Sequence, residues 1–430
     1  MENRKLIKSA AVLSMDPQVG NQLNYDILIE GDKILNVGRN ISDDAAEQID
    51  GSGMVAMPGF IDAHHHMWLG VLRNMGAQYV VGKQVFDGAQ QTALAAGFSP
   101  DDVYASTLAS AINAVDAGIT TVLDHANLPS AEHLAANAKA LAEAGLRTVL
   151  AAPASLGQAG LEALRSSLPA ERITLALASS EPQDTSLAAL KAEWELARSL
   201  GLRISAQVGM GTKPGDQLSE LNKAKLLGPD IMFAHGNTLS DRDLGAIRDA
   251  RAAVAMAPAA EMMQGYGAPT IQRFTDAGLT PGLGIDTELA NRGDMFSQMR
   301  NAISMQHAMR FDKKLAGNIF ADRMMTTRDI IQFVNVYGAQ TLGMQDTIGT
   351  LTPGKQADIV LLRQHHINVM PVNDPIGAVV WAMDCSNIDS VMVAGNFLKR
   401  HGELLNCDLG KLQELTTAIR QRVLGAPVPA

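Results

Sequence analysis

Pro58-Gly59-Phe60-Ile61-Asp62-Ala63-His64-His65-His66 decides how the rest of the chain reads. Pro58-Gly59 punctuates its start, and the apolar run through Ile61 has the character of a buried strand near its end. Side chains of a strand alternate between faces, so His64 and His66 share one face and His65 takes the other. Two imidazoles spaced in this way can converge on one metal ion just off the strand. The alternative is a polar cluster at a strand end, satisfied by neighbouring groups or water.

Downstream, short apolar segments alternate with Ala/Leu-rich helical stretches. The segments are Ile119–Asp124, Arg147–Ala152, Ile173–Ala178, Arg203–Val208, Ile231–His235, Ala252–Ala257 and Thr280–Asp286. With the opening stretch they make eight. Continuously apolar strands separated by helices mark parallel βαβ units buried on both faces. Eight such units predict an α/β chain built on a (β/α)8 TIM-like barrel over residues 58–347. Residues 1–57 and 348–430 are different. They carry alternating strands and turn signals, Gly31-Asp32 and Gly395-Asn396 among them, followed by an amphipathic stretch at 409–424. Neither end holds enough strands for its own core. A composite β-sandwich domain made from both ends, with a C-terminal helix, is therefore expected.

The composition narrows the function. The chain has 430 residues, 47% of them hydrophobic, and a net charge of -10 without a basic run. These features argue against nucleic acid and anionic membranes as partners and for a small-molecule substrate. Cys385 and Cys407 fit neither a zinc knuckle nor a disulfide framework, and no apolar run reaches membrane-spanning length. A cytoplasmic enzyme, assembled as a homo-oligomer, is expected.

Barrel active sites lie at the C-terminal ends of the strands. His64 and His66 end the first strand, Asp124-His125 the second, His235-Gly236-Asn237 the sixth, and Asp286-Thr287-Glu288 the eighth. Gln207 lies on the fifth, and Glu261 follows the seventh. Five of the ten histidines fall at strand ends, a clustering that favours a metal over core packing. Met67, Trp68, Arg73 and Gln78 follow the first strand in a loop expected at the barrel mouth, where Trp68 could stack on a planar or sugar-like substrate or equally pack within a lid.

Pro-Gly-Phe-Ile-Asp-Ala-His-x-His resembles the first-strand motif of the amidohydrolase superfamily. Gly349-Thr350-Leu351-Thr352-Pro353-Gly354-Lys355-Gln356-Ala357-Asp358-Ile359 resembles that superfamily's return to its small β domain. The nearest branch is that of the cytosine deaminases and triazine hydrolases. The resemblance implies a bound divalent metal that activates water. Its first-strand pair falls on His64 and His66, its strand-six histidine on His235, and its metal-binding, proton-accepting aspartate on Asp286. The fourth strand carries no lysine to bridge two metals, so one ion, Zn(II) or else Fe(II) or Mn(II), is expected. The fifth strand departs from the family. Gln207 and Met210 stand where the deaminases have a metal-binding His and, three residues later, a proton-shuttling Glu.

The expected ligands are thus His64, His66 and Asp286, completed by His235 or Gln207. Asp286 is the expected base. His235, Glu261 and His125 are further catalytic candidates, and Trp68, Gln207, Asn237 and Glu288 are candidates for substrate contact. The expected reaction is hydrolysis of a non-peptide C–N bond in an amide, amidine or heterocycle, deamination included. Hydrolysis of a C–O or glycosidic bond, or a catalytically silent binder, are the alternatives.

Overall fold

The computed structural model describes residues 4–76, 97–211, 216–269, 271–317, 323–405 and 407–424. Gln78 lies outside them. Eight parallel strands follow one another in sequence order: Phe60–His65, Ile119–His125, Arg147–Pro153, Ile173–Ala178, Arg203–Val208, Ile231–His235, Ala253–Met256 and Gly282–Leu283. All seven residues of Ile119–His125 are buried, as a strand covered on both faces requires. The eighth strand has only two residues, and the seam with the first is closed beyond it. There Asp286 N–H donates to His64 C=O and His66 N–H to Asp286 C=O, each at 2.8 Å. The ring of the barrel therefore closes through the backbone of the candidate site itself. Gly284 permits the approach, since a Cβ there would stand 2.7 Å from His64 O.

The intervening helices form where periodicity and caps agree. In Leu187–Ser199, Leu190, Trp194 and Ala197 make one buried stripe at i, i+4, i+7. Each large apolar side chain so buried contributes ~1.5–3 kcal/mol. Ser186 caps the N-terminus by accepting from Ala189 N–H. Ser240 and Asp243 make a full capping box for Asp241–Asp249. Gly145, with φ of 85°, ends Ala131–Ala144.

The chain ends build a separate mixed sheet of nine strands. Met54–Pro58 pairs antiparallel with Ile359–Arg363, from Pro58↔Ile359 to Met54↔Arg363. Ile27, Ile29, Ala56, Ile359 and Leu361 alternate along their strands and meet in one apolar core. Gly31-Asp32 turns the hairpin between Asn21–Glu30 and Lys33–Gly38. The C-terminal hairpin turns one residue earlier than expected. Ala394 and Gly395 take the left-handed positions and Asn396 opens the next strand. The main-chain N–H of Ala394 is held by the Asp358 carboxylate at 2.8 Å, and that tether outweighs the turn preference of asparagine.

Strand membership changes at Pro58–Phe60, whereas compactness divides the chain into residues 1–62, 114–121 and 294–406 as one unit and 63–113, 122–293 and 407–430 as the other. The candidate site lies wholly in the second unit. So does the helix Leu409–Leu424, whose Arg422 pairs with Asp102. Among the described residues, no helix is long and apolar enough to cross a membrane.

Candidate metal centre

His64 and His66 do share a face. Their Nε2 atoms stand 3.6 and 3.5 Å from Asp286 Oδ1, and all three residues are buried. With ligand bonds of ~2.1 Å, neighbouring donors around a tetrahedral ion lie about 3.4 Å apart, so these separations fit one ion. Burial, reinforced by the neighbouring imidazoles, pushes His64 and His66 well below the ordinary histidine value. They are therefore neutral, the form in which imidazole binds metal. Burial pushes Asp286 up to about 6, against the opposing effects of His235, His65 and the Gln264 hydrogen bond.

Three further strand-end residues close around the cluster. The His235 ring lies 5.2 Å from that of His64. Its Nδ1 is 3.2 Å from Glu261 Oε1, while its buried Nε2 has no hydrogen-bond partner. Burial lowers the His235 pKa, but the Glu261 hydrogen bond and the Asp286 charge outweigh burial and raise it. The His125 ring lies 5.5 Å from His64 and 5.3 Å from His66, with Nδ1 3.0 Å from Ser205 Oγ. Burial and then His235 push His125 down to about 3. The amide of Gln207 reaches within 3.3 Å of His66 Nε2. Met210 is buried and carries no titratable proton. His235 and Asp286 both have left-handed backbones, with φ of 72° and 65°.

Four further candidates, Glu261, Asn237, Glu288 and Trp68, are buried. Glu261 is not an open acid. Oε1 accepts from Ala257 N–H at 2.8 Å besides facing His235, and Oε2 accepts from Asn237 Nδ2 at 3.0 Å. Asn237 Nδ2 also donates to Ala268 C=O at 3.3 Å, so this amide nitrogen supports Glu261. Glu288 likewise has both oxygens engaged. Arg73 and Ser110 donate to Oε2 at 2.6 and 3.1 Å, and Asn113 to Oε1 at 2.7 Å. Trp68 is fully buried, not spread on an open mouth, and its carbonyl accepts from Ser106 Oγ at 2.7 Å.

Three residues absent from the sequence reading belong to the site. Gln264 Nε2 donates to Asp286 Oδ2 at 2.9 Å, and Tyr266 donates its hydroxyl to Gln264 Oε1 at 2.8 Å. Neither has a strand-end signal, because both follow the short helix Pro258–Met263. Ser205 carried a signal that was missed: it lies two residues before Gln207 on one strand and so shares its face. Beside Gln264 lies a small recess whose walls include Ala260, Met263, Leu289, Ala290 and Asn291. Among the described residues, none that lines it is charged.

A model of the amidohydrolase family matches residues 55–398. A 5-methylthioadenosine/S-adenosylhomocysteine deaminase of Pelotomaculum thermopropionicum is 28% identical over 95% of this chain and 96% of its own. A 5'-deoxyadenosine deaminase of Methanothermobacter thermautotrophicus is 26% identical over 96% of this chain and 99% of its own. Among solved structures, zinc-bound atrazine chlorohydrolase from Arthrobacter aurescens TC1 aligns with a TM-score of 0.83 at 23% identity, covering 96% of this chain and 99% of that one. A zinc-bound adenosine deaminase from Xanthomonas campestris aligns with a TM-score of 0.85 at 19% identity, covering 98% of each.

Proposed function

The chain belongs to the amidohydrolase family and is a hydrolase of C–N bonds, and on that premise we propose that it uses one zinc ion to deaminate, or otherwise hydrolyse at a C–N bond, a small heterocycle. The observation that carries this reading is the buried trio of His64, His66 and Asp286, with one carboxylate oxygen placed between two neutral imidazole nitrogens. These three would hold the ion, with His235 and Gln207 as the next donors. When bound, such an ion lowers the pKa of water and polarises the bond under attack.

The chain's own residues supply the proton handling. Asp286 can take a proton on a carboxylate oxygen and return it. Where it is not a ligand, His235 offers Nε2 to the substrate or the leaving group, its ring fixed from behind by Glu261. Met210 cannot supply a proton, so the leaving group is protonated through Asp286 or His235. This arrangement favours leaving groups that need little acid assistance. The named deaminase relatives point to adenine nucleosides as the first compounds to test.

Protein purified without added metal is expected to contain about one zinc per chain, and chelation should abolish ammonia release from 5'-methylthioadenosine or 5'-deoxyadenosine. Less than about a tenth of an equivalent, with no gain in activity on adding zinc, manganese or iron, would overturn the metal reading. Ammonia release that survives complete chelation would also overturn it.

Gln207→His bears on the departure in the fifth strand. Imidazole is a better zinc ligand than an amide oxygen. The variant should lose zinc to a chelator more slowly, with activity unchanged or reduced because a strong ligand can occupy the position that water or substrate needs. Equal loss rates would place Gln207 outside the ligand set.

A further inference from the structure

We propose that the segment following the seventh strand, residues 258–266, is a clamp that sets metal affinity, and that Gln264 and Tyr266 are positioning residues acting through the Asp286 carboxylate. The inference rests on the metal-site reading above. It extends that reading to residues that would not touch the ion.

The backbone of Asp286 is fixed on both sides by its hydrogen bonds with His64 and His66. What remains free is rotation of the carboxylate. Gln264 removes that freedom by donating to Oδ2 at 2.9 Å, which leaves Oδ1 facing the two imidazoles. The amide can bind an ionised carboxylate in only one orientation, since its oxygen would be repelled. Its Oε1 therefore points away, and there it accepts the Tyr266 hydroxyl at 2.8 Å. Gln264 and Tyr266 are 5% and 2% exposed, so water does not compete for these bonds.

The same segment holds the other side of the site. Glu261 fixes His235 from behind, and the edge of the Tyr266 ring packs on the His235 ring at 5.2 Å. Tyr266 is itself tethered, with its N–H on Glu261 C=O at 3.0 Å and its C=O accepting from Gly211 N–H at 3.1 Å. One short excursion thus orients both Asp286 and His235. Support of this kind behind a ligand typically changes metal affinity 10–100-fold.

The test uses the whole chain loaded with zinc and competed with a chromogenic chelator. Gln264→Leu should weaken zinc binding about 10–100-fold. Tyr266→Phe, which keeps the ring and loses only the hydroxyl, should weaken it several-fold. Because Tyr266 acts through Gln264, the double variant should match Gln264→Leu alone. A purely structural role would instead give additive losses and lower the melting temperature of the metal-free protein. With zinc bound to the wild type, variants that retain it within twofold overturn the clamp and leave the metal site standing. Wild-type protein that binds no zinc overturns both. Should Gln264→Leu fail to fold, Tyr266→Phe alone decides the matter.

Discussion

Replacing Asp286 with Asn is expected to lower kcat by ~10²–10⁴-fold, the range that general acid–base groups contribute, while leaving the fold intact. An amide has one oxygen where the carboxylate has two. If that oxygen accepts from Gln264, the NH₂ group faces His64 Nε2 and His66 Nε2, where a donor is useless to a cation. If the oxygen faces the imidazoles, Gln264 meets another donor. Either way the base is gone and the ion is held less well. The fold should survive because the barrel seam uses the main-chain N–H and C=O of residue 286 and not its side chain. The check is the rate of ammonia release together with a thermal melt. Retention of more than about a tenth of the rate by a folded variant would remove Asp286 from the role of base.

The largest expected effect on stability comes from Glu288→Ala. The side chain of Glu288 is 2% exposed and meets the Arg73 guanidinium at 2.6 Å. Ser110 and Asn113 complete its shell. Removing it leaves the Arg73 guanidinium without this acceptor, while Asn113 keeps Gly293 C=O at 3.1 Å. Breaking a buried pair typically costs ~3–5 kcal/mol, and the lower end applies because the Arg73 side chain is 39% exposed. A loss of about 3 kcal/mol in urea unfolding is therefore expected, with zinc content unchanged. A loss below about 0.5 kcal/mol, the level of an ordinary surface substitution, combined with a raised KM would return Glu288 to the role of substrate contact.

The parts of the site that could be read from sequence were those written in a strand's own period. His64 and His66 follow from alternation on one strand. His125, His235 and Asp286 follow from being the polar residues that end continuously apolar runs. The parts that could not be read depend on partners remote in sequence. The carboxylate of Glu288 is held by Arg73, 215 positions earlier. The carboxylate of Glu261 is held by Asn237, 24 positions earlier. Gln264 and Tyr266 lie in the turn after a short helix, with no period to single them out, and only the folded geometry aims Gln264 at Asp286 and Tyr266 at Gln264. The fold was legible to the level of strand order. The end-built sheet was also legible in outline, except where the Asp358 tether moved the last hairpin turn back by one residue.

The left-handed backbone at His235 and Asp286 sets stability against activity. Such a conformation costs a residue with a side chain up to ~1–2 kcal/mol, and glycine and asparagine escape most of that cost. A carboxylate buried at position 286 adds the expense of desolvation, which an amide does not carry. Metal-free Asp286→Asn protein should therefore melt no lower than the parent, and can melt higher, while being catalytically dead. Selection of variants for heat resistance alone would thus favour replacements at these two positions that erase the chemistry, so a stabilisation programme for this enzyme must screen for turnover at every round.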